Sequence, residues 1–172
     1  MNHFELFGLA QGFELDIRQL GDTYRQLQTQ FHPDRFATAP ERERLASVQQ
    51  AARINDAFST LKAPLRRAEY LLSLRGTDIR AEQQTLQDTG FLMQQLEWRE
   101  RLADLKSEAQ PETAIADFRR EIDQEHHHLM QQLTETLAMG EDLKAADCVR
   151  KLKFVDKLLE ELERFEDSLF EY

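Results

Sequence analysis

The chain has 172 residues and a formal net charge of −10, with four prolines, six glycines and a single cysteine. That length allows one domain or two small ones, and a lone cysteine excludes an internal disulfide or a paired-cysteine metal knuckle. No apolar run is long enough to cross a bilayer.

Ala, Leu, Glu, Gln, Arg and Lys are plentiful. These residues lose little side-chain freedom in a helix, so an all-α protein is expected. Residues 1–10, MNHFELFGLA, lack a basic region followed by a long apolar one. The expectation is therefore a soluble, cytoplasmic protein without a cleaved export signal, and the single Cys148 fits a reducing compartment. Charge is uneven: residues 1–75 carry ten Lys/Arg and nine Asp/Glu, whereas residues 76–172 carry twelve and twenty-three. The balances of +1 and −11 suggest two units with different partners, and the acidic half would repel nucleic-acid phosphates. An acidic surface that merely keeps a helical bundle soluble is the plainer alternative.

A short apolar segment, residues 4–9, comes first and is closed by Gly8 and Gly12. Asp16 then offers an N-cap, with Gln19 completing a capping-box pattern and Leu15 and Leu20 forming a hydrophobic staple. Ile17, Leu20, Tyr24, Leu27 and Phe31 recur at spacings of three and four, which predicts one apolar face on a helix over 17–31. Pro33 pushes His32 out of the α region and ends that helix. The interrupting stretch is QFHPDRF, residues 30–36. A second start is read at Thr38 with Glu41 in the capping-box position, and Leu45, Val48, Ala51, Ala52, Phe58 and Leu61 supply the facing stripe. A short connection makes the two helices an antiparallel hairpin. Pro64 opens a further helix through Ala68, Tyr70, Leu71, Leu72 and Leu74, ending at Gly76.

Residues 76–84, GTDIRAEQQ, lack periodicity and form the expected linker. Beyond it three helical stretches are read at 86–107, 112–138 and 142–170, punctuated by Pro111 and Gly140. The middle one carries Ile115, Phe118, Ile122, Leu129, Leu133 and Leu137. The last carries Leu143, Ala146, Val149, Leu152, Val155, Leu159, Leu162 and Leu169. Together they predict a small antiparallel three-helix bundle.

The first of these three has more apolar residues than one stripe can use. At roughly 100° per residue, Phe91, Trp98, Leu102 and Leu105 share a narrow arc suited to the core. Leu92, Met93 and Leu96 project to the other side, with Glu97 at its margin and Glu100 within it. On the last helix Phe154 lies one position off the core stripe, amid Arg150, Lys151, Lys153 and Lys157. A second apolar face invites a partner; packing of the N-terminal unit on that face, or burial of the helix on two sides, accounts for it equally well.

Residues 125–129, EHHHL, suggest a metal site, but consecutive helical histidines point about 100° apart and the i, i+4 positions hold no further His or Cys. His126 falls on the core stripe and reads as a packed histidine, so no metal and no cofactor is expected. There is no phosphate-cradling glycine loop and no nucleophile with a recognisable base, so an enzyme is not expected.

His32-Pro33-Asp34 between two antiparallel helices, preceded by DTYRQLQTQF and followed by INDAFSTL before Pro64, resembles the J-domain family of co-chaperones, with Tyr24, Asn55 and Phe58 in register. No Gly/Phe-rich segment or cysteine-rich zinc module is present. Instead PLRRAEYLLSLRG leads to FLMQQLEWRERL and later VRKLKFVDKLLEEL, a whole-length pattern similar to the HscB-type co-chaperones of iron–sulfur cluster assembly. One departure is that helix 17–31 carries only Arg18 and Arg25 as bases, fewer than many J domains.

The resemblance implies a J domain over 1–75, a linker over 76–84 and a client-binding three-helix domain over 85–172. It implies that His32, Pro33 and Asp34, with Arg25 and Arg35, meet an HscA-type (DnaK-class) ATPase chaperone and accelerate its ATP hydrolysis. It places the contact with an IscU-type iron–sulfur scaffold protein at Leu92, Met93, Leu96, Glu97, Glu100, Lys153 and Phe154. A monomer is expected. The alternatives are a J protein serving a general chaperone with a different client, and a helical adaptor in which the tripeptide is only a turn.

Overall fold

The computed structural model describes residues 1–79 and 88–170, and every regular element among them is helical. The chain divides into two compact units, Met1–Gly76 and Thr77–Tyr172. Of the linker read from the sequence, residues 80–84 lie outside the described residues, as do 85–87.

The first unit contains α1 (His3–Leu6), α2 (Ile17–Gln30), a 3₁₀ turn (Pro33–Phe36), α3 (Glu41–Lys62) and α4 (Pro64–Leu74). Asn2 caps α1, and Phe4 and Phe7 are buried. Gly8 follows with φ +65, the left-handed conformation that glycine adopts without steric cost. Asp16 is the N-cap of α2, its carboxylate accepting from the backbone N–H groups of Arg18 and Gln19. Leu20 is buried, Tyr24, Leu27 and Phe31 are half-buried, and Ile17, at the end of the predicted apolar face, is exposed. Phe31 closes the helix and His32 is extended, as a following proline requires.

The start and the buried face of α3 differ from the sequence reading. Pro40 precedes its first residue, Glu41, with no side-chain cap, so Thr38 is not the N-cap. Leu45 and Val48 are exposed, while Ser47, Ile54, Ala57, Thr60 and Leu61 face inward. That face mixes the large apolar Ile54 and Leu61 with the smaller Ser47, Ala57 and Thr60. Arg67 of α4 is buried yet satisfied in part: a guanidinium N–H donates to the Leu61 carbonyl at 2.6 Å, and the group lies over the Phe13 ring at 4.9 Å. It ties α4 to the C-terminal end of α3, where free carbonyls favour a cation.

The second unit contains α5 (Thr89–Lys106), α6 (Glu112–Ala138) and α7 (Asp142–Ser168). The core arc of α5 is as predicted: Phe91, Trp98, Leu102 and Leu105 are all buried. So are the six apolar residues read on α6. Gly140, at φ +73, turns the chain between α6 and α7. On α7 the buried set is Ala145, Ala146, Cys148, Val149, Leu152, Val155, Leu158 and Leu162. Leu158 replaces the expected Leu159, which is half-buried, and Leu143 and Leu169 at the helix ends are exposed. No helix among the described residues is long and apolar enough to cross a membrane.

The surroundings of His3 should make α1 docking sensitive to pH. Its ring stacks on Tyr70 at 4.3 Å between centroids, with Nε2 3.6 Å from Asp56. Burial, assisted by Arg53 and opposed by Asp56, lowers its pKa. A folded-state pKa below the unfolded one means that stability is present above about 6.5 and is lost as pH falls through the folded value. Thermal melts between about pH 7.5 and 5.5 should lose stability on acidification, and His3→Gln should reduce that loss.

Candidate functional site

Two separate surfaces carry the residues singled out in the sequence. On the first unit, the 3₁₀ turn is held by its own histidine. Pro33 occupies the first helical position, where its missing N–H is no loss. The Asp34 backbone N–H donates to His32 Nδ1 at 3.1 Å, and the Arg35 N–H donates to the His32 carbonyl at 3.0 Å. His32 Nδ1 also lies 3.6 Å from an Asp34 carboxylate oxygen. The two roles exclude each other: a ring accepting from the backbone has no proton on Nδ1, and a ring protonated there faces the carboxylate instead. The Asp34 side chain is 92 % exposed, so its carboxylate is presented rather than used in the fold. Arg35 and Arg25 are exposed, and Arg25 pairs with Asp22 one turn earlier on α2.

Behind the turn, α2 and α3 are joined by polar and aromatic contacts. The Tyr24 hydroxyl donates to the Asn55 side-chain oxygen at 2.7 Å, and its ring stacks on Phe58 with centroids 3.9 Å apart. These are the three residues whose register supported the resemblance. They fix the hairpin that carries the turn.

On the second unit, Met93 and Leu96 are 70 % and 66 % exposed, and Leu92 beside them is also exposed. Met93 and Leu96, with Glu97 and Glu100, border a shallow groove of about 590 Å³. Phe154 of α7, off the core stripe, is half-buried rather than fully exposed. Its ring meets the edge of Phe91 at 6.0 Å between centroids, and the Arg99 guanidinium lies over it at 5.2 Å. A ring one position off a helical stripe reaches the neighbouring helix, and here α5 supplies that neighbour. Lys153, next to it, is exposed.

Sequence reasoning missed Asp88, which caps α5 by accepting from the Phe91 N–H at 3.0 Å and accepts from Lys151 of α7 at 2.8 Å. These bonds hold its carboxyl below the ordinary range, with the Lys151 hydrogen bond first among the causes. An aspartate three residues before a buried phenylalanine at a helix start is a legible cap signal. Arg99 was missed too; it pairs with Glu161.

His126 is half-buried rather than packed in the core, and its Nε2 lies 3.2 Å from Asp156 on α7. No group of three or more His, Cys, Asp or Glu among the described residues is placed to hold a metal ion. Burial pushes the Cys148 thiol up, which disfavours the thiolate a metal would need. A larger hollow of about 700 Å³ lies along α6 beside Arg119 and Arg120, but these pair with Glu166 and Asp117 at 3.1 and 3.5 Å.

An HPD turn on a helical hairpin, followed by a separate helical unit, defines a J-domain co-chaperone with a C-terminal helical domain. Residues 87–163 match the family model described as the HSCB C-terminal oligomerisation domain. The co-chaperone protein HscB homolog of Aeromonas salmonicida is 83 % identical over 171 residues, covering 99 % of each chain. Among solved structures, chaperone HscB from Vibrio cholerae matches with a TM-score of 0.93 at 56 % identity, covering 98 % of this chain and 100 % of the other. Human co-chaperone HscB matches with a TM-score of 0.87 at 27 % identity, over 95 % and 81 % of the two chains. The chain belongs to the HscB co-chaperone family.

The Asp34 carboxylate and the Met93 side chain are both exposed. Asp34→Ala and Met93→Ala are each expected to change folding stability by less than about 0.5 kcal/mol, measured by chemical denaturation.

Proposed function

We propose that the chain is a cytoplasmic, non-enzymatic co-chaperone that stimulates the ATPase of an HscA-type, DnaK-class chaperone. It delivers to that chaperone an IscU-type scaffold on which iron–sulfur clusters are built. The observation that carries this reading is the separation of two exposed features on two compact units of one chain: the Asp34 carboxylate on the first, and the Leu92, Met93 and Leu96 patch on the second.

In this reading His32, Pro33 and Asp34, with Arg25 and Arg35, form the chaperone contact. Pro33 and the His32 ring restrain the turn, so little conformational freedom is lost on docking. Asp34 offers both oxygens to an arginine on the chaperone, a geometry suited to two charge-assisted hydrogen bonds. The scaffold contacts Leu92, Met93, Leu96, Glu97, Glu100, Lys153 and Phe154. The exposed apolar side chains supply area that water leaves on binding, and the flanking charges set orientation. Residues 1–75 act as the J domain and 85–172 as the client-binding domain. Carrying trigger and client on one chain raises the effective concentration of each at the chaperone. The cluster is the client's cargo.

Asp34→Ala should abolish ATPase stimulation while leaving scaffold binding intact. Leu92→Ala combined with Met93→Ala and Phe154→Ala should abolish scaffold binding while leaving stimulation without scaffold intact. Equal damage to both activities by each set, in folded protein, would refute the division of labour. The chain acts as a monomer in this scheme, and sedimentation equilibrium should return a mass near 20.2 kDa; a dimer at working concentration would contradict it.

A further inference from the structure

The surface proposed for the scaffold is drawn from two helices, so its shape depends on what fixes α5 against α7. At the start of α5 one carboxylate does two things. Asp88 Oδ1 accepts from the Phe91 N–H at 3.0 Å, closing the first turn, and Oδ2 accepts from Lys151 Nζ at 2.8 Å. The same Lys151 ammonium lies 5.4 Å from the centroid of the Phe91 ring, whose edge contact with Phe154 is already described. Phe91 is followed directly by Leu92 and Met93, and Phe154 follows Lys151 by three residues on α7. Lys151 is 19 % exposed and Asp88 48 %, so the pair is partly shielded from solvent.

We propose that Asp88 and Lys151 are positioning residues for the scaffold surface. Their ion pair holds the Phe91 ring between Lys151 and Phe154, and so fixes Leu92 and Met93 of α5 relative to Phe154 of α7. The inference rests on the reading of that surface as the scaffold site. Neither residue needs to touch the scaffold. A surface that is already set loses less freedom on binding, so loosening it lowers affinity without removing any contact. A pair serving only the fold would add nothing to binding.

The test titrates apo scaffold calorimetrically against the full chain and five variants: Asp88→Asn, Lys151→Met, both together, Lys151→Arg, and Phe154→Ala. Asn retains a capping oxygen and Met retains an apolar stem, so both variants should fold, which melting curves check. Asp88→Asn and Lys151→Met should each weaken binding by about threefold to fivefold. The double variant should be no weaker than either single one, and Lys151→Arg should restore nearly wild-type affinity. ATPase stimulation in the absence of scaffold should not change. If Phe154→Ala binds as wild type does, the scaffold surface itself is misassigned and the proposal falls with it. If Phe154→Ala loses binding while Asp88→Asn and Lys151→Met keep wild-type affinity, the positioning role alone is overturned. Additive losses without rescue by Lys151→Arg would also overturn it, because they would indicate separate contacts.

Discussion

The seam between α6 and α7 is the interaction on which the second unit depends. Two helices of 27 residues each bury apolar stripes from Ile115 to Leu137 and from Ala145 to Leu162. Because that seam already supplies most of the core, α5 has only one arc to contribute. At about 100° per residue, Phe91, Trp98, Leu102 and Leu105 fill the arc and leave Leu92, Met93 and Leu96 outside it. An apolar patch left uncovered costs solubility, and binding of the scaffold would give it a use under the proposed function.

The first unit is shaped by a different constraint. Pro33 forbids α2 to continue, and His32 then supplies the hydrogen-bond acceptor that the new turn needs. The fold uses the backbone of Asp34 and leaves its carboxylate exposed. Tyr24, Asn55 and Phe58 hold the hairpin behind the turn, so the turn is carried on a fixed base. Rigid support with an exposed polar tip is what a docking element requires, since freedom already removed is not lost again on binding.

Long amphipathic helices were the most legible part of the chain. The buried arc of α5 and the whole stripe of α6 follow from spacing alone, as does the stop before Pro33. Where the sequence misled, the competing effect was packing. Leu45 and Val48 are apolar and at helical spacing, yet α3 turns Ser47, Ile54, Ala57, Thr60 and Leu61 inward, and only the neighbouring elements decide which face that is. Leu158 displaced Leu159 for a similar reason: adjacent leucines leave a stripe ambiguous by one position, and only the neighbouring helix decides it. At the candidate sites, spacing located the off-core residues but not their partners. The half-burial of Phe154 and the links from Asp88 to Lys151 and from Arg99 to Glu161 join α5 to α7, and no local pattern encodes such a pairing.

Under the proposed function, joining a trigger and a client surface in one chain matters only if both act from the same molecule. The most direct test mixes equal amounts of Asp34→Ala and Phe154→Ala chains in a chaperone ATPase assay containing scaffold. One chain of the mixture holds the scaffold and the other retains the trigger. Delivery by a single chain predicts that the mixture stimulates no more than the sum of its separate components. Recovery of the wild-type rate with scaffold would show that trigger and client need not travel together, and would contradict the mechanism.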